Sequence, residues 1–236
     1  MRNLTFNGTS SLSLGVAISG EGSYDSPSRD RTVVTIPGRN GDLVIDNGRF
    51  QNIKVTYPAF VFGDLPATAA QIRAWLMGPT GYARLEDDYH PDEYRQAMFS
   101  GSVGFNTTAW NQHAEFEIVF NCKPQRFLKT GETLVSLSSG DTITNPTIFA
   151  ALPFIQVTAS GAVNGTLTVN GTTMTFSSPP FTTIFLNSDT QECYNGTNNL
   201  NNYMSGDFPV LGSGSNSVSY TGNITGISMR PRWWRL

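Results

Sequence analysis

The sequence predicts a mainly β protein made of two domains, and three observations support this. Charged residues make up 14% of the 236 residues, against about 25% in an average domain; Thr, Asn and Gly, which suit strands and corners, take their place. Short apolar segments alternate with turn signals, which is typical of a sandwich or barrel. No Lys or Arg occurs between Thr130 and Met229, although five acidic residues remain there. We therefore expect an N-terminal domain over residues 1–130 and a C-terminal β-domain over residues 131–236.

Six segments of the first domain are rich in apolar and β-branched residues, which predicts strands. These segments are Leu12–Ile18, Thr32–Ile36, Asn52–Phe62, Tyr82–Asp88, Tyr94–Phe105 and His113–Cys122. Pro58 lies within the third segment and predicts an edge strand or a bulge there, because proline cannot donate to a ladder. The sixth segment alternates, and its apolar residues on one face are Ala114, Phe116, Ile118 and Phe120.

The segment Asp64–Met77 predicts the one helix of the chain. Its apolar residues fall at i, i+3 and i+4 spacing, namely Ile72, Trp75 and Leu76. Such a stripe is typical of a helix that packs on a sheet. Thr68 is a candidate N-cap, and Gly78-Pro79 predicts an abrupt end.

The stretch Ile36–Phe50 contains two Asn-Gly dipeptides, Asn40-Gly41 and Asn47-Gly48, around a short apolar run. Asn-Gly adopts the positive φ angles of tight primed turns, so each pair predicts a hairpin turn. Charged residues on these turns should be exposed. We therefore expect a charged protrusion that binds rather than catalyses. Its candidate interface residues are Pro37, Gly38, Arg39, Asn40, Gly41, Asp42, Asp46, Asn47 and Arg49.

Turn signals recur through the second domain at the spacing expected of short strands. They are Asn164-Gly165, Asn170-Gly171, Pro179-Pro180, Asn195-Gly196 and Gly212–Asn216. The two cysteines, Cys122 and Cys193, are too sparse for a disulfide framework. We expect both to be reduced and buried.

The formal net charge is −3, and only three of the 15 cations are lysines. A protein that wraps nucleic acid needs many phosphate-neutralising side chains, and adhesion to an anionic membrane needs the same. The composition therefore disfavours both partners. No apolar run has secretory or membrane-spanning length, so we expect synthesis and folding in a cytoplasm.

No phosphate-binding loop, dinucleotide fingerprint or nucleophile elbow occurs in the sequence. The densest polar cluster is Glu86–Glu93, which contains one of the two histidines, His90. It is a candidate for a metal site or for a hydrolytic carboxylate pair. Adjacent strand residues point to opposite faces, however, so Asp87 and Asp88 should not converge. We expect an exposed turn, no enzymatic activity, and neither a metal nor a cofactor.

The C-terminus, Arg230–Leu236, interleaves arginines with two tryptophans. Such a pattern can stack on bases or sugars. The favoured interpretation is a final strand whose tryptophans pack into the core or an interface, while the arginines pair with acids. Trp233, Trp234 and Arg235 are thus candidates for partner docking.

Six landmarks along the chain together resemble one protein family. They are the turn-rich stretch 34–50, Phe-Asn-Cys-Lys-Pro-Gln-Arg-Phe at 120–127, Asn-Pro-Thr at 145–147, Phe-Pro-Val-Leu at 208–211, Gly-Ser-Asn at 214–216, and Pro-Arg-Trp-Trp-Arg-Leu at 231–236. In this order they resemble the distal tail (Dit) proteins of siphophages, the long-tailed, non-contractile bacteriophages.

The resemblance implies an N-terminal β-sandwich-like belt domain with one helix and a long hairpin, followed by a galectin-like β-sandwich. It also implies a non-enzymatic hub at the tail tip of the virion, built as a homohexameric ring around a channel that DNA crosses in transit. The implied partners are further copies of the chain, the tail tube protein, the tail-associated lysin or tail-tip protein, and receptor-binding or baseplate proteins.

The alternative hypothesis is a carbohydrate-binding module that recognises host cell-surface glycan through Tyr194, Tyr203 or Trp233. Galectins use a His-Asn-Arg cluster beside a stacking Trp, and residues 130–229 contain no His, Arg or Trp. The sequence therefore favours a docking platform for other tail proteins.

Overall fold

The computed structural model describes residues 2–20, 22, 24–108 and 112–236. It is mainly β with one α-helix among these residues, which confirms the predicted fold class. Contacts divide the chain into two compact units, Met1–Arg126 with Leu236, and Phe127–Arg235. No described helix is long and apolar enough to span a bilayer.

The first unit is built on one antiparallel sheet, with a separate two-stranded ribbon. Its elements are β1 (Leu4–Phe6), β2 (Thr9–Ser10), a 3-10 turn (Ser11–Leu14), β3 (Val16–Ile18), β4 (Arg29–Val34), β5 (Leu43–Phe50), β6 (Ile53–Phe62), α1 (Leu65–Met77), β7 (Ala83–Asp87), β8 (Glu93–Phe99), β9 (Asn106–Thr108) and β10 (His113–Leu128). The sheet order is β2-β1-β7-β8-β10-β6-β3, and β9 also pairs with β10. Strands β4 and β5 form the ribbon.

The helix covers the inner face of this sheet, as its apolar stripe predicts. Ile72 and Leu76 are fully buried, and the Trp75 Nε1 donates a hydrogen bond of 3.0 Å to the Phe6 carbonyl. The predicted N-cap at Thr68 is wrong. The helix begins at Leu65 after Asp64, with a proline in its first turn, where a missing N–H costs nothing.

Three strand predictions in the first unit need correction. The segment predicted as Leu12–Ile18 begins as a 3-10 turn, and Gly15, at φ +71°, separates that turn from β3. The strand predicted to continue to Phe105 ends at Phe99, shortly before Gly101 at φ +130°. The sixth strand runs past Cys122 to Leu128.

Pro58 is neither at the sheet edge nor in a bulge, because β6 has neighbours on both sides. It lies just where β3 ends, opposite Ser19, whose N–H donates to the Pro58 carbonyl at 2.8 Å. The N–H and C=O of one residue in an antiparallel strand point to the same side. The missing proline N–H therefore faces Ser19, one residue past the end of β3, and not the ladder with β10.

The second unit is a sandwich of two antiparallel sheets. Its elements are 3-10 turns at Lys129–Glu132 and Asn201–Tyr203, and strands β11 (Val135–Leu137), β12 (Thr142–Asn145), β13 (Phe154–Ala159), β14 (Asn164–Val169), β15 (Thr172–Ser177), β16 (Thr183–Asn187), β17 (Glu192–Asn195), β18 (Asn198–Asn199), β19 (Met204–Ser205), β20 (Gly214–Tyr220), β21 (Ile224–Arg230) and β22 (Trp234–Arg235). The sheet orders are β11-β21-β13-β16-β17-β18 and β12-β20-β14-β15-β19. Apolar side chains of both sheets meet in one core, as in Ile155 and Leu167.

The Asn-Gly pairs of this unit play different roles. Asn170-Gly171 is the predicted two-residue hairpin turn between β14 and β15, with φ angles of 49° and 84°. The turn predicted at Asn164-Gly165 is wrong, since both residues lie in β14. A side chain at Gly165 would overlap the Thr221 carbonyl, so glycine permits a close approach of two backbones there.

Removing the side chain of Ile72 should destabilise the first unit. We expect Ile72→Ala to lower the free energy of unfolding by about 2–5 kcal/mol, because a fully buried side chain leaves a cavity. The exposed neighbour on the same helix, Gln71→Ala, should change it by less than about 0.5 kcal/mol. Urea unfolding followed by tryptophan fluorescence measures both; equal effects would contradict the packing of α1.

Candidate interaction surface

Strands β4 and β5, with the turn that joins them, form a ribbon that we call the arm (residues 29–50). The arm pairs with no other strand of the described chain. The half of the arm next to the turn pairs regularly. Thr32 lies opposite Ile45, Val33 opposite Val44, and Val34 opposite Leu43. At its root the Gln51 N–H donates to the Ser28 carbonyl at 2.9 Å.

The tip of the arm carries the first predicted turn. Gly38 and Gly41 both have φ +79°, a conformation that favours glycine. The Arg39 N–H donates to the Ile36 carbonyl at 3.2 Å, which closes the turn. All the candidate interface residues in this turn are exposed: Pro37, Gly38, Arg39, Asn40, Gly41 and Asp42.

The second predicted hairpin turn, at Asn47-Gly48, is wrong. Both residues lie inside β5, where the register shifts between the pairs Arg29–Phe50 and Arg31–Asp46. The dipeptide forms a bulge: Gly48 has φ +73°, and its N–H donates to the Asp46 Oδ1 at 2.8 Å. The chain does not reverse there because β4 continues to pair beyond the bulge.

Two ion pairs hold the bulge in shape. Arg29 contacts the Asp46 carboxylate at 2.9 Å, and Arg49 contacts that of Asp30 at 2.6 Å. The hydrogen bond from Arg49 lowers the pKa of Asp30, and the Gly48 N–H lowers the pKa of Asp46. Exposed pairs of this kind contribute little to stability. Their effect here is to fix the local conformation of the ribbon.

The arm also exposes apolar side chains on both of its faces, which the sequence analysis did not single out. Val33 (57% exposed) and Val44 (54%) lie on one face, and Ile45 (48%) lies on the other with Val34 and Leu43. An isolated two-stranded ribbon is at best marginally stable in water. Contiguous exposed apolar surface marks an interaction site. The sequence feature that indicates this exposure is a run of apolar and β-branched residues in which polar residues do not alternate.

The acidic cluster Glu86–Glu93 supports local structure instead of forming a solvated turn throughout. Asp87 accepts hydrogen bonds from the Tyr57 hydroxyl at 2.6 Å and from His90 Nδ1 at 3.0 Å. Burial raises the pKa of Tyr57 well above its usual value. Asp88 instead accepts from the Asn3 N–H at 2.7 Å, so the two adjacent carboxylates diverge as predicted.

Glu93, at the end of the same cluster, corrects the expectation of exposure most clearly. Its side chain is 4% exposed and lies 3.6 Å from Arg126. A buried carboxylate needs such a partner, which the local sequence did not indicate. No group of three or more His, Cys, Asp or Glu side chains that could hold a metal ion occurs among the described residues.

The C-terminal tryptophans belong to the second unit. Trp233 is 5% exposed and packs in its core, so its side chain is unavailable to a docking partner. Trp234 is half-buried: its ring stacks on Phe149 with centroids 4.4 Å apart, and its Nε1 donates to the Ala150 carbonyl at 2.8 Å. Arg235 is exposed. Of the three predicted docking residues, Trp234 and Arg235 remain accessible.

Arg230 and Arg232 form no ion pair with an acid of the described residues, contrary to the expectation. Arg230 and Arg232 lie over the Phe154 ring at 5.9 and 5.7 Å, and Arg232 donates to the Asn187 side chain at 2.8 Å. Cation–π contact therefore replaces the expected ion pairs.

Tyr194, one of the aromatic residues considered for glycan binding, contacts another aromatic ring. The Tyr194 ring lies 5.7 Å from that of Phe185, which stacks on Phe154 at 5.8 Å. The Tyr194 ring is tilted by 37° against that of Phe185, so part of its surface is in contact with protein. Tyr203 is 38% exposed.

Both cysteines are free and buried, as predicted. Burial raises the pKa of Cys122 to about 12 and that of Cys193 to about 11. Because the thiolate is the reactive form, we expect neither cysteine to react with a thiol-specific chromogenic disulfide near neutral pH. Both should react once urea unfolds the chain. Rapid reaction of the native protein would contradict their burial.

The whole chain has a fold similar to those of solved phage proteins. It matches the SPP1 Dit protein (gp 19.1), described as a paradigm of the hub adsorption apparatus in phages that infect Gram-positive bacteria, with a TM-score of 0.76 at 13% identity over 100% of both chains. Two structures of the phage p2 baseplate in its activated conformation, with Sr and with Ca, match with TM-scores of 0.56 and 0.54 at 10% identity over 97% of both chains. No protein-family model and no curated protein matches the chain. The chain therefore shares its architecture with the SPP1 Dit protein along its entire length.

Proposed function

We propose that this chain is a structural hub of a siphophage tail, a distal tail protein. The observation that carries the proposal is the likeness to the SPP1 Dit protein over the full length of both chains. The sequence landmarks of that family support it independently, because they extend from residue 34 to the C-terminus. In this role the protein resides at the tail tip of the virion and is made in the cytoplasm of the host.

The hub assembles as a homohexameric ring through the arm. The apolar residues on both arm faces supply the surface that copies of the chain bury against one another. A ring needs a heterologous interface, in which two different patches meet and the rotation between copies closes. The charged tip, Pro37–Asp42, and the bulge residues Asp46, Asn47 and Arg49 set the specificity of that contact.

The ring joins the tail tube protein to the tail-associated lysin or tail-tip protein and to receptor-binding or baseplate proteins. The second unit is the docking platform, and Trp234 and Arg235 are its accessible candidates. DNA crosses the central channel without binding, which the net charge of −3 and the three lysines favour.

The role is structural instead of enzymatic. Two adjacent carboxylates of the densest acidic cluster, Asp87 and Asp88, are engaged in local hydrogen bonds to different partners. Glycan recognition by the second unit is less well supported, because Trp233 is buried and Tyr194 contacts another ring.

The mass of the purified protein in solution tests the proposal first. Light scattering should give six times the 25.7 kDa of one chain, or twelve times if two rings stack. Negative-stain images should show a six-fold ring with an open centre. A monomer at micromolar concentration, both alone and with a tail tube partner, would refute the ring.

A charge in the apolar part of the arm should abolish assembly without unfolding the protein. We expect Val44→Asp to weaken self-association on the order of 100-fold, because the interface would bury an unpaired carboxylate. The matched control is Val210→Asp, at an exposed valine of the second unit. Sedimentation velocity measures association, and circular dichroism checks the fold. Unchanged assembly of the Val44 variant would exclude the arm from the interface.

A further inference from the structure

Six Asn-Gly dipeptides occur along the chain, and such a pair can change covalently without an enzyme. They are Asn7-Gly8, Asn40-Gly41, Asn47-Gly48, Asn164-Gly165, Asn170-Gly171 and Asn195-Gly196. The backbone nitrogen of the glycine attacks the asparagine side chain, because glycine has no side chain that obstructs the approach. Asparagine is accordingly one of the thermolabile residues of proteins. The fold decides which pair reacts, since the two reacting groups must be free to meet.

Asn40-Gly41, at the tip of the arm, is the least restrained of these pairs. Both residues are exposed and lie in the turn between β4 and β5, outside either strand. Within the described part of the chain, the Asn40 side chain and the Gly41 N–H form no hydrogen bond. A Cβ added at Gly41 would meet nothing within 4 Å. The attacking nitrogen and the side-chain carbon are therefore free to approach each other.

Asn47-Gly48, on the same arm, is equally exposed but is held by hydrogen bonds. The Asn47 Nδ2 donates to the Asp30 carboxylate at 3.1 Å and to the Thr32 hydroxyl at 3.4 Å. The Gly48 N–H donates to the Asp46 Oδ1 at 2.8 Å. Both the attacking nitrogen and the leaving amide are thus engaged, and ring closure must first break these hydrogen bonds.

The other four pairs are restrained in two ways. The side-chain amides of Asn164 and Asn195 donate to a serine hydroxyl and a threonine carbonyl, at 2.8 and 2.7 Å. Asn7-Gly8 and Asn170-Gly171 are two-residue turns whose flanking residues pair with each other. Such pairing opposes the rotation about the asparagine Cα–C bond that ring closure requires.

We propose that Asn40 is the preferred deamidation site of this chain, through a succinimide formed with Gly41. The Gly41 nitrogen bonds to the Asn40 Cγ, the Cγ–Nδ2 bond breaks, and the amide leaves as ammonia with the proton of the Gly41 N–H. Water then opens the ring at Cγ to give aspartate, or at the backbone carbonyl carbon to give isoaspartate. One water is consumed for each ammonia released, and nothing is oxidised or reduced.

This reaction changes both the charge and the backbone of the tip. Each event adds one negative charge to the formal net charge of −3. The new carboxylate lies two residues from Asp42, whose own carboxylate accepts from the Thr35 hydroxyl at 2.8 Å. Isoaspartate also inserts a methylene group into the backbone. The inference is independent of the proposed function, because it concerns the covalent state of the free arm.

Ageing of the purified protein at mildly alkaline pH tests the site. Cleavage after arginine releases residues 40–49 as one peptide, which contains both Asn40 and Asn47. The fragment masses of this peptide therefore compare the two sites within the same molecule. We expect Asn40 to convert on the order of 10-fold faster than Asn47, because each hydrogen bond that must break first slows ring closure several-fold.

Two variants and an unfolded sample are the controls. Asn40→Gln should block the reaction at the tip, since the larger ring closes far more slowly, whereas Asn47→Gln should leave the conversion of Asn40 unchanged. In guanidinium chloride the hydrogen bonds of the arm are lost, so Asn40 and Asn47 should convert at similar rates.

The Val44→Asp variant, which we expect not to assemble, shows the reaction of the free subunit, and circular dichroism checks its fold. Conversion of Asn40 in this variant but not in the assembled native protein supports the site and indicates that assembly covers the tip. Asn40 intact in both proteins, equal rates at Asn40 and Asn47 in the folded chain, or a preference that persists in guanidinium chloride would overturn the proposal. None of these results decides whether copies form a ring, which the mass of the native protein tests separately.

Discussion

The antiparallel pairing of β6 with β10 is the constraint on which the rest of the first unit depends. It runs without interruption over ten residue pairs, from His113–Phe62 to Cys122–Ile53. Because strand side chains alternate, this single register places Val55, Tyr57 and Val61 on the inner face, under the helix. The residues of β6 between them lie on the outer face. A slip of one residue would exchange the two sets. The same ladder therefore determines the core, the outer aromatic side chains and the point from which the arm leaves the sheet.

The arm has the opposite character, since its two strands pair only with one another among the strands of the described residues. Its hydrogen bonds, bulge and ion pairs define a conformation, but its apolar residues remain in water on both faces. A folded chain gains little from such a ribbon alone. The exposed apolar side chains of the arm are removed from water when another molecule covers them. This requirement connects the shape of one subunit to the assembly that we propose.

The second unit completes its core within itself. Its two sheets enclose their apolar side chains, and Trp233 joins that core from the C-terminus. The aromatic residues on the outside form contacts with arginines and with one another, as in Arg232, Phe154 and Phe185. A self-contained sandwich of this kind can present loops and edges to partners while its own fold stays unchanged.

The sequence by itself determined the class of fold, the helix α1 with its buried stripe, the clean alternation of β10, the Asn170-Gly171 turn and the burial of both cysteines. These features depend on local periodicity and on backbone conformations that few residues adopt. Only the tertiary structure decided whether an Asn-Gly pair turns the chain or bulges within a strand, because a continuing partner strand overrides the local preference at Gly48 and Gly165. It also decided the burial of Glu93 against Arg126 and the exposure of Val33 and Val44, since burial depends on which distant segments meet.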